Sequence, residues 1–384
     1  MDVQPFTVEV AQETLNDLYD RLGRTRWPDE VEGAGWAYGA NLQYMQELVD
    51  YWRTSFDWRE QEGFINGFPN YRATVEGVGI HFVHEGGKGP NPLPIIITHG
   101  WPSSFYEMLN LVPLLTDPAK YGGDETDSFD VVVPAIPGYG FSDRPRRQGF
   151  NYRQVADIWV SLMEGLGYPR FAAHSYDVGA TIMGGLLRNH PDRVLGYHTT
   201  EPGNPAPYLG PGSPELSEAE SAFLEYQSGW ELDEGGYMAL QTTRPQTPAY
   251  GLNDSPAGLA AWIIEKWHAW TNPPSGNLNQ HFTQDELLTN VTLYWVTETI
   301  TSANRLYYER AHHPAPVGRD ERINVPLGVT LTTQEIERVP REYVQRLFVD
   351  IRRWETFGRG GHFIALEEPK LLVQALREFF RPLR

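Results

Sequence analysis

Through the middle of the chain, short apolar runs closed by Gly or Pro alternate with longer segments whose apolar residues recur at helical spacing. "RATVEGVGIHFVHE" (72–85) predicts two strands around a Gly turn, and "PLPIIITHG" (92–100) and "FDVVVPAIPG" (129–138) predict buried strands. "NYRQVADIWVSLMEGLGY" (151–168) keeps its apolar residues on one helical face and ends in Gly. A short strand, "RFAAHSY" (170–176), and another helical stretch, "GATIMGGLLRNH" (179–190), complete the rhythm. Strand alternating with helix in this order predicts a doubly wound, mostly parallel sheet.

The rhythm breaks near residue 205 in the Pro- and Gly-rich "EPGNPAPYLGPGSPELSEAE". From there to about 314 the pattern is helical, and at "INVPLGVTLTT" (323–333) a strand returns before the amphipathic "EEPKLLVQALREFFRPL". This predicts an N-terminal helical and loop extension over 1–70, a core in two parts over 71–205 and 315–384, and a helical lid inserted over 206–314.

Composition narrows the partners. A net charge of −19 argues against nucleic acid and anionic membrane surfaces. No apolar run reaches spanning length and the N-terminus lacks a signal-peptide core, so a cytoplasmic enzyme off the membrane is expected. The absence of cysteine excludes thiolate chemistry and disulfides. With 12 Trp and 20 Tyr, the chain carries more aromatic surface than a core needs, which suits a cavity for a bulky apolar ligand.

One turn carries the candidate chemistry. In "AAHSYDVGATIMGG" (172–185) a strand meets a helix, and a nucleophile elbow there needs small residues two positions either side of its centre. Centred on Asp177 the flanks are Ser175 and Gly179, both small; centred on Ser175 they are Ala173 and Asp177, and a carboxylate would be forced into the crowded place. The register favours Asp177. The plain alternative is an aspartate capping the following helix. "HGWP" (99–102) follows the apolar strand where an oxyanion-hole N–H belongs, and "GGHF" (360–363) precedes the last helix where a histidine belongs. Glu335, after the strand "VPLGVTL", completes the order Asp177…Glu335…His362, with Glu337 as the alternative acid. Backbone N–H groups of Trp101 and Val178 are the expected oxyanion donors, and Tyr176 and Pro102 the expected substrate contacts.

A carboxylate with a pKa of about 4 is ionised at neutral pH and attacks without a base. It suits opening of a strained ring or displacement of halide at sp³ carbon, giving an alkyl-enzyme ester. His362 is then left to activate water against the ester, oriented by the acid.

The motifs "TRWPD", "YWRTSFDWREQEGFIN", "HGWPSSFYEM", "IPGYGFSDRP", "GLNDSPAGLAAWIIEKW", "ITSANRLYYE" and "GGHFIALEEP" run in order from about residue 5 to the C-terminus. In these the chain resembles the microsomal-type epoxide hydrolases, which have an α/β-hydrolase fold with an N-terminal epoxide hydrolase domain. The resemblance implies water addition to a lipophilic epoxide to give a vicinal diol, without metal or cofactor. It also implies two lid tyrosines that donate to the epoxide oxygen. They are matched by Tyr237 in the "GYM…TRP" segment and by Tyr307 after Arg305-Leu306, with Tyr308 as its neighbour.

The elbow departs from the family's usual Gly-Gly-Asp-Trp-Gly, reading Ser175-Tyr176-Asp177-Val178-Gly179. Val178 in place of Trp also argues against a haloalkane dehalogenase, the elbow register against a serine esterase, and the full set of catalytic members against a non-catalytic binding homologue. An apolar or aromatic epoxide and water are the expected partners, in biosynthesis or in detoxification, and the exposed helical layers leave a homodimer open.

Overall fold

The structure is a computed structural model that describes residues 1–271, 277–332 and 338–384. Its sheet runs β1-β2-β3-β5-β4-β6-β7-β8-β9, where β1 is Val3–Pro5, β2 Asn70–Val75, β3 Val78–Glu85, β4 Leu93–Thr98 and β5 Phe129–Pro134. β6 is Phe171–Ser175, β7 Val194–Thr199, β8 Leu327–Leu331 and β9 Ile351–Thr356. β5-β4-β6-β7-β8-β9 pair in parallel, and β1, β2 and β3 form an antiparallel flank that joins β5. Ile95, Ile96 and Ile97 of β4 and Val131, Val132 and Val133 of β5 are fully buried, as central parallel strands covered on both faces must be.

Among the helices, α1 (Gln12–Leu22), α2 (Leu42–Thr54) and α3 (Trp58–Asn66) precede β2. Leu111–Thr116 (α4) lies between β4 and β5, Tyr152–Gly165 (α5) makes the crossover from β5 to β6, and Val178–Asn189 (α6) follows the elbow. Asn151 and Gln154 close a capping box at the start of α5, satisfying N–H groups that a helix end leaves unpaired. Between β7 and β8 lie α7 (Glu218–Glu234), α8 (Gly236–Thr243), α9 (Gln246–Leu252), α10 (Pro256–Thr271), α11 (Gln284–Thr297) and α12 (Ile300–His312). The chain closes with α13 (Arg341–Gln345), α14 (Ile364–Glu367) and α15 (Pro369–Phe380).

The N-terminal helices grip the inserted ones. Trp52 Nε1 donates to Thr292 Oγ1 at 3.0 Å, Tyr51 to Asp285 at 2.9 Å, and Arg21 pairs with Asp254 at 2.7 Å. Exposed pairs of the last kind contribute little on their own; buried Trp52, bonded to Thr292, is the stronger contact.

Three strands carry no clear sequence signal. β1 is three residues long and β7 mixes Gly, Tyr, His and Thr, while β9 (IRRWET) is a half-exposed edge strand with two arginines. Their place in the sheet comes from pairing partners distant in sequence.

Candidate active site

Asp177 stands between β6 and α6 at φ 53 and ψ −131, a conformation unfavourable for a residue with a side chain. Ser175 and Gly179 are small for the reason the elbow requires. A Cβ on Gly179 would lie 2.5 Å from the Thr98 carbonyl oxygen and 2.9 Å from the Ser175 Cβ. Across the site, a Cβ on Gly100 would lie 2.6 Å from the Asp177 Cβ, so the loop after β4 approaches because it is glycine. Ser175 itself is fully buried, its hydroxyl 3.0 Å from the Tyr197 phenol and away from the cavity.

The two carboxylate oxygens of Asp177 have different surroundings. Oδ1 accepts the Trp101 N–H at 2.7 Å and the Val178 N–H at 2.5 Å. An ordinary helix cap accepts from the second or third N–H of the helix, whereas this oxygen takes the first together with one from another loop. Oδ2 lies 3.7 Å from His362 Nε2. Asp177 also offers its own N–H to Glu201, a buried carboxylate two residues past β7.

Several bonds fix the loop that supplies the Trp101 N–H. His99 Nε2 accepts from the Ile136 N–H, so Nδ1 carries the proton and donates to the Gly100 carbonyl at 3.0 Å. Burial pushes His99 down to about 4, so the ring stays neutral and both bonds persist at working pH. From above, Asn290 donates to the Pro102 carbonyl at 2.8 Å and Tyr294 to the Ser103 carbonyl at 2.7 Å, tying α11 to the same loop.

His362, 1% exposed, sits on the loop between β9 and α14 with its ring edge-on to Trp270 at 5.0 Å. Phe363 stacks on Trp267 at 4.1 Å, anchoring this loop beneath α10. Glu335 and its alternative Glu337 lie outside the described residues.

Tyr237 from α8 and Tyr307 from α12 meet over Asp177. Tyr237 stacks flat on Trp101 at 4.9 Å, Tyr307 stands edge-on to Trp101 at 6.0 Å, and the two phenol rings are 6.3 Å apart. Burial, then the nearby Asp177 charge, raises both phenols well above their ordinary value, so each holds its proton. Tyr308 is turned away and stacks on His312 at 3.8 Å.

A cavity of about 780 Å³ opens over Asp177. Its wall includes Tyr237, Tyr307, Phe223, Trp230, Met238 and Glu201. Tyr176 and Pro102 are not part of that wall. The Tyr176 phenol instead donates to buried Glu107, and its ring stands edge-on to His362 at 5.8 Å. Glu107 falls inside "HGWPSSFYEM" and Glu201 opens "EPGNPAPYLG", but nothing in either stretch marks its acid as buried, so the sequence singled out neither.

A mostly parallel sheet, an aspartate raised on the turn after one strand and a histidine facing it after a later strand define the α/β-hydrolase fold. Comparison with known proteins agrees. Residues 3–108 match the family model described as epoxide hydrolase N terminus, and residues 94–236 match the alpha/beta hydrolase fold. The chain is 42% identical to a Stigmatella aurantiaca protein provisionally named an epoxide hydrolase, over 100% of this chain and 86% of that one. It is 36% identical to epoxide hydrolase 1 of Sus scrofa, over 98% and 88% of the two chains. The solved epoxide hydrolase of Aspergillus niger superposes with a TM-score of 0.86 at 28% identity, covering 100% of this chain and 97% of its own. The chain belongs to the epoxide hydrolase family.

Among the described residues, no helix is long and apolar enough to cross a membrane.

Proposed function

We propose that the protein adds water to a lipophilic epoxide through a covalent ester on Asp177. The observation that carries this reading is the split environment of the Asp177 carboxylate. Oδ1 rests on two N–H donors while Oδ2 lies beside His362, and Asp177 lines the same cavity as two protonated phenols.

In the first half-reaction Oδ2 attacks an oxirane carbon, the ring C–O bond breaks, and Tyr237 or Tyr307 protonates the departing oxygen. The strained ring supplies driving force and the phenols stabilise the charge that develops on oxygen. In the second, His362 Nε2 takes a proton from water, whose oxygen attacks the ester carbonyl carbon. Negative charge then collects on Oδ1, where Trp101 and Val178 N–H are already aimed, so little reorganisation is needed. Collapse breaks the ester C–O bond, His362 gives its proton to the leaving alkoxide to release the diol, and the second water proton, left on the Asp177 carboxyl, returns to the tyrosinate. Glu335 is the acid assigned to balance the imidazolium, on its place in the chain order.

Substrate class follows from the wall. In a cavity of about 780 Å³ whose wall also holds Arg153, Glu201 and Arg310, the apolar side chains Phe223, Trp230 and Met238 with the two tyrosines suit an apolar or aromatic epoxide. Two phenols above the nucleophile fit an oxygen leaving group rather than a halide.

Tyr237→Phe and Tyr307→Phe keep the rings that pack on Trp101 and remove only the donors. Each is expected to slow alkylation about 10- to 100-fold, and the double variant about 10³-fold or more, with unfolding temperature little changed. Rapid-quench measurement of ester formation checks this. Alkylation by the double variant within twofold of wild type would remove both tyrosines from the mechanism.

A further inference from the structure

Behind the reacting groups lies an acid that the mechanism above does not use. Glu107 sits on a short 3-10 turn, Phe105–Met108, that follows the loop supplying the Trp101 N–H, and is 1% exposed. The Tyr176 phenol donates to its Oε1, and the Ser103 hydroxyl, which donates to the Gly100 carbonyl at 3.2 Å, lies near the same carboxyl. Tyr176 is the residue immediately before Asp177, and its ring edge meets the His362 ring at 5.8 Å. Where the family's elbow has glycine, this chain thus places a phenol that links a buried carboxyl to the nucleophile's neighbour and to the face of the base.

We propose that Glu107, held by Tyr176, is a positioning residue of the hydrolytic half-reaction, acting through His362. As water gives its proton to His362 Nε2, the imidazole becomes a cation in a dry pocket, and a carboxylate at Glu107 stabilises that cation. A neutral Glu107 does not. The inference rests on the covalent reading given above, because only there does His362 charge up in a separate second step.

The surroundings make the carboxyl responsive near neutral pH. Burial pushes Glu107 up to about 7, against the pull of the nearby Ser103 hydroxyl, the Tyr176 hydrogen bond and the His362 charge, with Asp177 adding a small upward push. Elements packed on the 3-10 turn contribute few other charges. α11 brings the protonated Tyr294. α14 carries Glu367, which engages His281 and the Phe363 N–H, and the end of β4 leads to His99, which is neutral. No Arg or Lys is among the charges acting on Glu107 among the described residues.

The sign follows. Above about pH 7 Glu107 is ionised and hydrolysis is fast; below it the carboxyl is neutral and the assistance is lost. The alkyl-enzyme is formed in a single turnover with a styrene-oxide-type epoxide, and its decay is followed by rapid quench and intact mass from pH 6 to pH 8.5. Glu107→Gln is expected to slow decay about 10- to 50-fold at pH 8 and less than threefold at pH 6, with alkylation unchanged within threefold at both. Tyr176→Phe keeps the ring against His362 and removes a bond that holds Glu107 down, so the limb of the decay profile moves to higher pH. Glu107→Asp, which keeps the charge, restores a pH-dependent limb even if its fit lowers the absolute rate.

A deficit in Glu107→Gln that is equal at pH 6 and pH 8, or that falls equally on alkylation and decay, would overturn the proposal and leave Glu107 as packing. So would an unchanged decay profile. If no adduct forms in wild type or in His362→Gln, it is the covalent reading that fails, and the inference falls with it.

Discussion

The His362→Gln enzyme is expected to take up one equivalent of epoxide and stop. On the proposed mechanism alkylation needs only the ionised Asp177 and the two phenols, none of which His362 supplies. Hydrolysis needs a base within reach of a water beside the ester, and His362 Nε2, 3.7 Å from Asp177 Oδ2, is the group so placed. Glutamine fills a similar volume beneath Trp270 but cannot accept the proton. Turnover should fall about 10⁴-fold, while intact mass rises by the mass of one epoxide per chain and stays raised for hours. Peptide mapping should place the added mass on the peptide containing Asp177. Turnover within tenfold of wild type, with no adduct, would take His362 out of the base role.

Asp177→Asn is expected to abolish both half-reactions, lowering turnover about 10⁴-fold or more. The amide has nearly the carboxylate's shape, and its oxygen can still accept the Trp101 and Val178 N–H groups. Asparagine also tolerates the positive φ of 53 at this turn better than most residues. Folding should therefore survive, and the loss belongs to the nucleophile. The measurement is steady-state diol formation together with thermal unfolding. Residual activity above one per cent in a chain verified as asparagine by mass would contradict the assignment. Ser175→Ala offers the complementary control, since a serine buried against Tyr197 carries no chemistry and its loss should leave turnover within a few-fold.

How much of this was legible in the sequence depends on how local each feature is. The elbow was readable because a tight turn dictates small flanks, and Ser175 and Gly179 are where that steric rule puts them. β4 and β5 were readable because strands buried on both faces must be apolar throughout. The lid tyrosines came from resemblance alone. Their spacing of 70 residues carries no periodic signal, and only packing on Trp101 brings their rings together.

What stayed hidden was set by long-range pairing. β9 is an edge strand with polar side chains, and β1 is three residues placed by its register on β2, Val3 opposite Ala73. Glu107 and Glu201 are two of 50 acidic residues, and composition does not distinguish a buried carboxyl from a solvated one. Tyr176 was legible as a departure from the family's glycine but not in its direction. The expectation was a cavity contact, and the phenol instead reaches back to Glu107.

The covalent role of Asp177 is tested most directly by a single turnover in ¹⁸O-water, with enzyme in excess over epoxide. If Asp177 attacks the oxirane, the oxygen that enters the first diol is the carboxylate's own ¹⁶O. The label then appears in the peptide containing Asp177, and labelled diol emerges only on later turnovers. Fully labelled diol in the first turnover, with an unlabelled Asp177 peptide, would mean that water attacks the epoxide directly and that the ester is not on the path.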